Sequence, residues 1–216
     1  MGYVVYSVKS GDNVYDIANE YKTSIERIIV SNPNINMYRM RPGAEIIVPV
    51  RNVVDTQVSY SSEILEKDIR NLKLIYPFLE VGEIGKSVLN KSLPYIKIGN
   101  GNKKVFYSAA FHANEWITSL VIMKFLEEYA KAFVENKNIF GHNAQALYYT
   151  TSLYIVPMVN PDGVDLVTGS IKNVEISYKN AVQIANNFPE IPFPDGWKAN
   201  INGVDLKNYQ PICKVL

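Results

Sequence analysis

The hydrophobic pattern of this 216-residue chain changes near residue 50, and this change constrains its architecture more than any other feature. Before that point, two short apolar segments, the YVVY run and residues 46–48, enclose two stretches of helical periodicity. The first stretch, residues 14–21, has apolar side chains at i, i+3, i+4 and i+7, and the second, residues 25–29, follows the N-cap candidate Ser24. We therefore predict a self-contained β-α-α-β unit at the N-terminus.

Three motifs in this unit, YSVKSGDNVYDIANEY, SNPNI and RPGAEIIVPV, stand in the order and spacing of the LysM family, which residues 3–50 closely resemble. LysM modules bind glycans that contain N-acetylglucosamine, such as peptidoglycan and chitin, through two loops. The resemblance implies the same glycan class here. The implied binding residues are Gly11, Asp12, Asn13 and Val14 in the loop after the first strand, and Asn32, Pro33, Asn34 and Ile35 in the loop before the second strand. Because turns and helix caps need the same residue types, each of these residues also has a purely structural alternative.

A polar stretch without helical periodicity, residues 51–61, follows the LysM-like unit. We predict a linker there and a second domain over residues 62–216. Ser62 is the expected N-cap of a helix whose apolar stripe ends before Pro77.

The second domain has the pattern of an α/β fold. Apolar strand candidates lie at residues 79–84, 95–98, 105–111 and 152–156. A long helix is predicted over residues 116–133, and the glycine-rich segment 99–102 predicts a hairpin-like turn between two strands. Helices that alternate with apolar strands favour a mixed sheet with helices packed on its faces.

A histidine and a glutamate stand three residues apart in the segment HANE, where a strand candidate ends and the long helix begins. Ligands and catalytic groups gather at such strand ends. An imidazole nitrogen and a carboxylate across a tight turn can converge on one cation, and zinc accepts both ligand types. His112 and Glu115 are therefore candidate metal ligands. The alternative for Glu115 is a first-turn residue favoured by the helix dipole.

Three separated motifs, FHANEWITS, SLYIVPMVNPDGVDL and GWKANINGVDL, stand in the order of the M14 family of zinc carboxypeptidases, which residues 60–206 resemble. The likeness is strongest to its bacterial branch, which cleaves γ-D-glutamyl bonds to a diamino acid in peptidoglycan stem peptides. It implies one zinc ion held by His112 and Glu115, and a catalytic cation, Lys198, that polarises the scissile carbonyl. An ordinary surface cation is the alternative for Lys198. The likeness also implies that residues 160–163 support the site, whereas their sequence alone predicts a plain turn.

The chain departs from the M14 pattern after residue 206. We find no third histidine ligand and no later general-base glutamate, and His142 resembles part of a surface connection rather than a ligand segment. Two ligands leave zinc half coordinated, so we expect weak zinc occupancy and impaired or absent activity. We also expect an incomplete carboxypeptidase-like domain, ended by a frameshift or naturally.

Composition excludes several other classes. A formal charge of +1 provides no field that would attract a nucleic acid, and a single cysteine excludes an internal disulfide framework. The N-terminus lacks the features of a Sec signal peptide, and no stretch is apolar enough to span a membrane. We expect an association with the cell wall or the spore, with a cytoplasmic location as the alternative.

Two functions from different classes follow. The first is a peptidoglycan-directed zinc metallopeptidase that hydrolyses γ-D-glutamyl-diamino acid bonds. The second is a non-catalytic protein that binds peptidoglycan or another N-acetylglucosamine glycan through its LysM module. A small-molecule zinc deacylase fits the histidine–glutamate pair but not the attached glycan-binding module.

Overall fold

A computed structural model describes residues 2–207 of the chain. The N-terminal part is the predicted β-α-α-β unit, built from β1 (Tyr3–Ser7), α1 (Val14–Glu20), α2 (Ile25–Ser31) and β2 (Glu45–Pro49). Its two strands pair antiparallel. The unit has a core of its own, formed by Val8, Val14, Ile17, Ala18, Ile28, Met37, Ile46 and Val48.

The larger part of the chain alternates helices and strands. It begins with α3 (Ser62–Ile75), β3 (Glu80–Lys86), β4 (Ser92–Ile98) and β5 (Lys103–Ser108), after which a 3₁₀ turn (Ala113–Glu115) leads into α4 (Ile117–Val134). The remaining elements are β6 (Asn138–Ile139), β7 (His142–Asn143), α5 (Ala144–Thr150), β8 (Thr151–Val156), α6 (Pro161–Val167) and α7 (Ile176–Ala185).

The N-cap of α3 is Ser61, so the prediction of Ser62 was wrong by one residue. The Ser61 hydroxyl accepts a hydrogen bond from the amide of Ile64 at 3.4 Å. The Ser62 hydroxyl is instead bonded to the buried carboxylate of Asp165 in α6. The side chain of Ser62 therefore bonds to an acidic residue that is distant in sequence, and it does not cap the helix.

Four strands form a mixed sheet in the order β3-β4-β8-β5, in which β8 is antiparallel to β4 and parallel to β5. The mixed α/β fold class is thereby confirmed. The hairpin-like turn predicted at residues 99–102 is wrong, because β8 lies between the two strands that this segment connects. Its glycines serve a close approach: a Cβ atom on Gly99 or Gly101 would overlap the main chain of Thr150 and Thr151 at the start of β8.

Helices α3 and α4 pack with the sheet around one large core. The stripe predicted for α3 is buried there through Leu65, Ile69, Leu72 and Ile75. Opposite it lie Ile96 and Ile98 from β4, Ile155 from β8, and Leu120, Met123 and Leu126 from α4. This packing fixes the end of β5 relative to the start of α4, where the HANE segment lies.

The N-terminal unit is packed against this core. The Ser31 hydroxyl at the end of α2 donates a hydrogen bond of 2.8 Å to the carbonyl of Ile75 in α3. In the predicted linker, the amides of Val53 and Val54 donate to the buried carboxylate of Glu127 in α4, at 2.5 and 3.3 Å. The linker is therefore anchored to the larger part.

The proposed division into residues 1–50, 51–61 and 62–216 stays a prediction, and residues 208–216 lie outside the described part. Among the described helices, none combines the length and the apolar character that crossing a bilayer requires.

Candidate functional site

The two candidate metal ligands come together at the end of β5. His112 immediately precedes the 3₁₀ turn and Glu115 ends it. His112 Nδ1 lies 3.0 Å from Glu115 Oε1. The imidazole is largely buried, with 11% of its side chain exposed, whereas the carboxylate is 53% exposed. The pair therefore presents one fixed nitrogen and one accessible oxygen to the same cavity, of about 280 Å³.

The other ring nitrogen of His112 faces Asp205. Nε2 lies 3.4 Å from Asp205 Oδ1 and makes no hydrogen bond within the described residues, although it is buried. A carboxylate that accepts a hydrogen bond from the second nitrogen of an imidazole orients the ring, and Asp205 lies close to the place where such an acceptor would stand. Sequence reasoning missed Asp205 as a site residue, because it lies far along the chain from His112 and no spacing rule connects them.

Residues 160–163, whose support of the site stays a prediction, contact both segments that carry candidate site residues. Asn160 is the N-cap of α6, so the segment begins a helix and is not the plain turn that its sequence alone predicted. The side-chain amide of Asn160 donates to the carbonyl of Phe111 at 3.1 Å and to the carbonyl of Ala199 at 3.0 Å. One buried side chain thus joins the residue before His112 to the residue after Lys198.

Two buried aspartates hold α6 in place. Asp162 accepts hydrogen bonds from the Ser87 hydroxyl and the Leu89 amide, both at 2.9 Å. Asp165 forms an ion pair of 2.5 Å with Lys91. These bonds connect α6, which contacts the 3₁₀ turn, to the segment between β3 and β4.

Lys198 lies in a segment that contacts the 3₁₀ turn between the two candidate metal ligands. Its carbonyl accepts a hydrogen bond from the amide of Ala113 at 3.1 Å. The residue lines a largely apolar cavity of about 340 Å³ together with Trp197, Phe193 and Asp205. Because Asp205 also approaches His112, this cavity and the one lined by His112 and Glu115 are neighbours.

His142 lies in β7 and is exposed, and its exclusion as a ligand stays a prediction.

The predicted glycan loops contain several side chains that already have partners. Asp12 accepts hydrogen bonds from the Lys9 amide and the Tyr6 hydroxyl, both at 2.7 Å, and these bonds hold the pKa of its carboxyl below the usual value. Asn13 caps α1, and Val14 is buried in the core.

In the second loop, Asn32 is buried and donates to the carbonyls of Ile28 and Ile47 while accepting from the Ile47 amide. These are the structural roles that the alternative interpretation assigns to such residues. Gly11, Pro33 and Asn34 are exposed, and Ile35 is half-buried. A glycan-binding role for all eight residues stays a prediction.

An exposed aromatic pair lies beside both loops, and sequence reasoning missed it. Tyr15 directly follows the first loop and Tyr38 follows the second, and their exposed fractions are 56% and 64%. Their ring centroids are 6.3 Å apart. The pair brings the flanks of the two loops to one surface. Local sequence gave no clear signal, because Tyr15 follows the apolar Val14 and Tyr38 follows the apolar Met37. The exposure of both rings depends on the fold.

The donor pair fits two positions of a zinc site. Zinc bonds to nitrogen and oxygen are about 2.0 to 2.2 Å long, so two ligands of a tetrahedral ion stand roughly 3.3 Å apart. His112 Nδ1 and Glu115 Oε1 are hydrogen-bonded to each other at 3.0 Å, a little less than this separation, so a zinc ion between them would replace the hydrogen bond. Within residues 2–207 no group of three or more His, Cys, Asp or Glu side chains is arranged to hold a metal ion. Zinc binding by His112 and Glu115 therefore stays a prediction.

Two family models match the chain. The model for zinc carboxypeptidase, Peptidase_M14, matches residues 65–210, and the model for the LysM domain matches residues 6–49. The expected resemblance to both families is thereby confirmed.

Individual relatives extend these matches. The chain is 44% identical to gamma-D-glutamyl-L-diamino acid endopeptidase 1 of Lysinibacillus sphaericus over 165 residues, which are 74% of this chain and 39% of that protein. It is 38% identical to the uncharacterized protein YqgT of Bacillus subtilis (strain 168), over 73% of this chain and 42% of that protein. A crystal structure of thrombin activatable fibrinolysis inhibitor aligns with a TM-score of 0.49 and 19% identity, over 69% of this chain and 33% of that one. The chain thus spans about two fifths of the length of the two sequence relatives.

Proposed function

The chain belongs to the zinc carboxypeptidase family, and from this membership we propose that it is a peptidoglycan-directed zinc metallopeptidase. The proposed reaction is hydrolysis of the bond between γ-D-glutamate and a diamino acid in peptidoglycan stem peptides. The observation that carries it is the approach of His112 Nδ1 and Glu115 Oε1 to 3.0 Å, in a pair that lines one cavity. The substrate class is taken from the Lysinibacillus relative, whose name states that bond.

His112 and Glu115 would hold the zinc ion. When bound, zinc polarises an amide carbonyl and lowers the pKa of a bound water toward neutrality. Asp205 would orient the imidazole once a small turn of the ring lets Nε2 donate to its carboxylate, which lies 3.4 Å away. Lys198 would stabilise negative charge that develops on the scissile carbonyl oxygen, from the neighbouring cavity that it lines.

The LysM part would hold the glycan strand while the stem peptide is cleaved. Exposed Gly11, Pro33 and Asn34 offer main-chain and side-chain hydrogen-bonding groups to the N-acetyl amides of the sugar. Tyr15 and Tyr38 would add apolar ring faces, which complement the apolar faces of a sugar. Binding to N-acetylglucosamine glycans would keep the protein at the cell wall or the spore.

The peptidase proposal is tested with purified full chain, added zinc and the peptide L-Ala-γ-D-Glu-meso-diaminopimelate. Because two ligands hold zinc weakly, we expect slow release of free diaminopimelate that requires excess zinc, with loss of release on chelation and in the His112→Ala variant. His142→Ala, which removes the exposed histidine of β7, is the matched control and should keep the activity. Hydrolysis by His112→Ala at the wild-type rate would refute the metal assignment.

A second function has its own supporting observation. Because the described residues provide no three-ligand metal group, a non-catalytic glycan-binding protein is the competing proposal. Purified peptidoglycan that retains the protein, with no diaminopimelate released at any zinc concentration, would select it.

The glycan-binding proposal is tested by the same retention assay. Deleting residues 1–50 would expose buried groups of α3, because Ser31 is bonded to Ile75, so substitutions in the intact chain are the cleaner test. Tyr15→Ala with Tyr38→Ala should weaken retention about tenfold. Tyr107→Ala, which removes an exposed ring from β5, should not. Equal retention by all variants would place glycan recognition elsewhere.

A further inference from the structure

Thr118, on the first turn of α4, closes the loop that contains both proposed zinc ligands. Its hydroxyl accepts a hydrogen bond of 2.9 Å from the amide of Ala110. The same hydroxyl donates a hydrogen bond of 2.7 Å to the carbonyl of Glu115. A single side chain therefore joins the residue at the start of the loop to the residue at its end.

The amide of Ala110 needs this partner. Ala110 is 3% exposed, and a buried amide left without a hydrogen bond is unfavourable. Ala110 also has φ = 50°, in the left-handed region that residues other than glycine rarely adopt. Such a conformation persists only where the surrounding structure holds it. Two hydrogen bonds fix this conformation. The hydroxyl of Thr118 accepts from the Ala110 amide, and the main-chain amide of Asn160 donates to the Ala110 carbonyl at 3.0 Å.

We propose that Thr118 is a positioning residue for the metal pair. Its two hydrogen bonds keep the main chain of residues 110–115 in the arrangement that brings His112 Nδ1 and Glu115 Oε1 together. The inference rests on the proposed zinc site for its functional meaning. Groups that orient metal ligands commonly contribute as much as tenfold or more to metal affinity. Thr118 lines the same cavity as His112 and Glu115, and it acts through the backbone that carries them.

Three variants of the full chain separate this role from general packing. Thr118→Val keeps the shape of the side chain and removes both hydrogen bonds, whereas Thr118→Ser keeps the hydroxyl. Thr150→Val is the matched control, because the Thr150 hydroxyl also donates to a helical carbonyl, that of Ala146, at 2.7 Å. If Thr118→Val fails to fold, Thr118→Ala takes its place.

Two measurements are made on each variant. Amide hydrogen exchange reports the opening of the Ala110 amide in the protein without metal. Competition with a chromophoric chelator reports zinc affinity. We expect Thr118→Val to accelerate exchange at Ala110 and to weaken zinc binding, each by about tenfold. For Thr118→Ser and Thr150→Val, the exchange rate at Ala110 and the zinc affinity should both stay within about threefold of the wild-type values.

The two measurements also separate this inference from the proposed function. Wild-type exchange at Ala110 in Thr118→Val would overturn the positioning role, whatever the zinc affinity. Wild-type zinc affinity in Thr118→Val, with Ala110 exchanging faster, would overturn the link between the loop and the metal. If the wild-type protein binds no zinc but Thr118→Val still accelerates exchange, the zinc site of the proposed function fails and the hold on the loop is supported.

Discussion

The side-chain amide of Asn160 donates a hydrogen bond of 3.1 Å to the main-chain carbonyl of Phe111, the residue before His112. The same amide nitrogen donates to the carbonyl of Ala199 at 3.0 Å, and the side-chain oxygen accepts from the amide of Gly163 at 3.1 Å. Asn160 is 2% exposed. Because Phe111 and Ala199 both present carbonyl oxygens to the amide nitrogen of Asn160, only a hydrogen-bond donor fits at that position, and the orientation of the side-chain amide is fixed.

Asn160→Asp should therefore destabilise the protein although it preserves the shape of the side chain. The new carboxylate oxygen would face two carbonyl oxygens in a buried position, and we expect a loss of about 3 kcal/mol in the free energy of unfolding. Urea unfolding measures the change. Asn143→Asp is the matched control, because Asn143 caps α5 through its oxygen alone and a carboxylate does the same. Its effect should be within about 0.5 kcal/mol. Equal losses in the two variants would refute the donor requirement.

Gly163→Ala should also destabilise the protein, although alanine is the better helix former. A Cβ atom at Gly163 would lie 2.6 Å from the carbonyl oxygen of Ala199 and 2.8 Å from the Cβ of Ala113. We expect the overlap to lower the free energy of unfolding by about 2 kcal/mol, which exceeds the gain from the higher helix propensity of alanine. Thermal unfolding measures the change. The control is Asn180→Ala, at an exposed position of α7, which should gain about 0.5 kcal/mol. A Gly163→Ala protein that melts above wild type would show that the turn and α6 can separate.

Local sequence predicts the elements of this fold better than their arrangement. The stripe of α3 and the cap of α2 at Ser24 follow from side-chain spacing, and both are present. The insertion of β8 between β4 and β5 depends on pairing between distant segments, which no local pattern encodes. The same holds at the site: the approach of His112 to Glu115 follows from their spacing, whereas the approach of Asp205 to His112 requires the whole fold.

The contact between α2 and α3 predicts that the N-terminal unit and the larger part unfold together. The buried Ser31 hydroxyl donates to the carbonyl of Ile75, and α2 residue Val30 packs against the larger core. Ser31→Ala should lower the free energy of unfolding by about 1 kcal/mol within a single transition. Ser59→Ala, at an exposed position, should change it by less than about 0.5 kcal/mol. Two separate transitions in the wild-type protein would contradict this coupling.

Asp68 makes the stability of the protein depend on pH. This buried carboxyl accepts a hydrogen bond of 2.8 Å from the Tyr60 hydroxyl. Burial, with a smaller contribution from the Glu127 carboxylate, raises the pKa of Asp68 to about 6, from 3.8 as the ordinary value. Between these two values the folded state binds more protons than the unfolded state. The contribution of Asp68 to stability is therefore full below about pH 4 and is lost as the pH rises through about 6.

Asp68→Asn should remove this dependence, because the amide stays neutral and its oxygen can still accept from Tyr60. We expect the variant and the wild type to have similar free energies of unfolding near pH 4. At neutral pH the variant should be more stable by about 3 kcal/mol, since each pKa unit corresponds to about 1.4 kcal/mol. Urea unfolding across this pH range measures the difference. Asp55→Asn removes one acidic group from the exposed surface and is the control for net charge. A constant offset between Asp68→Asn and wild type at every pH would show that Asp68 does not titrate on folding, and its buried bond to Tyr60 would then be the whole of its role.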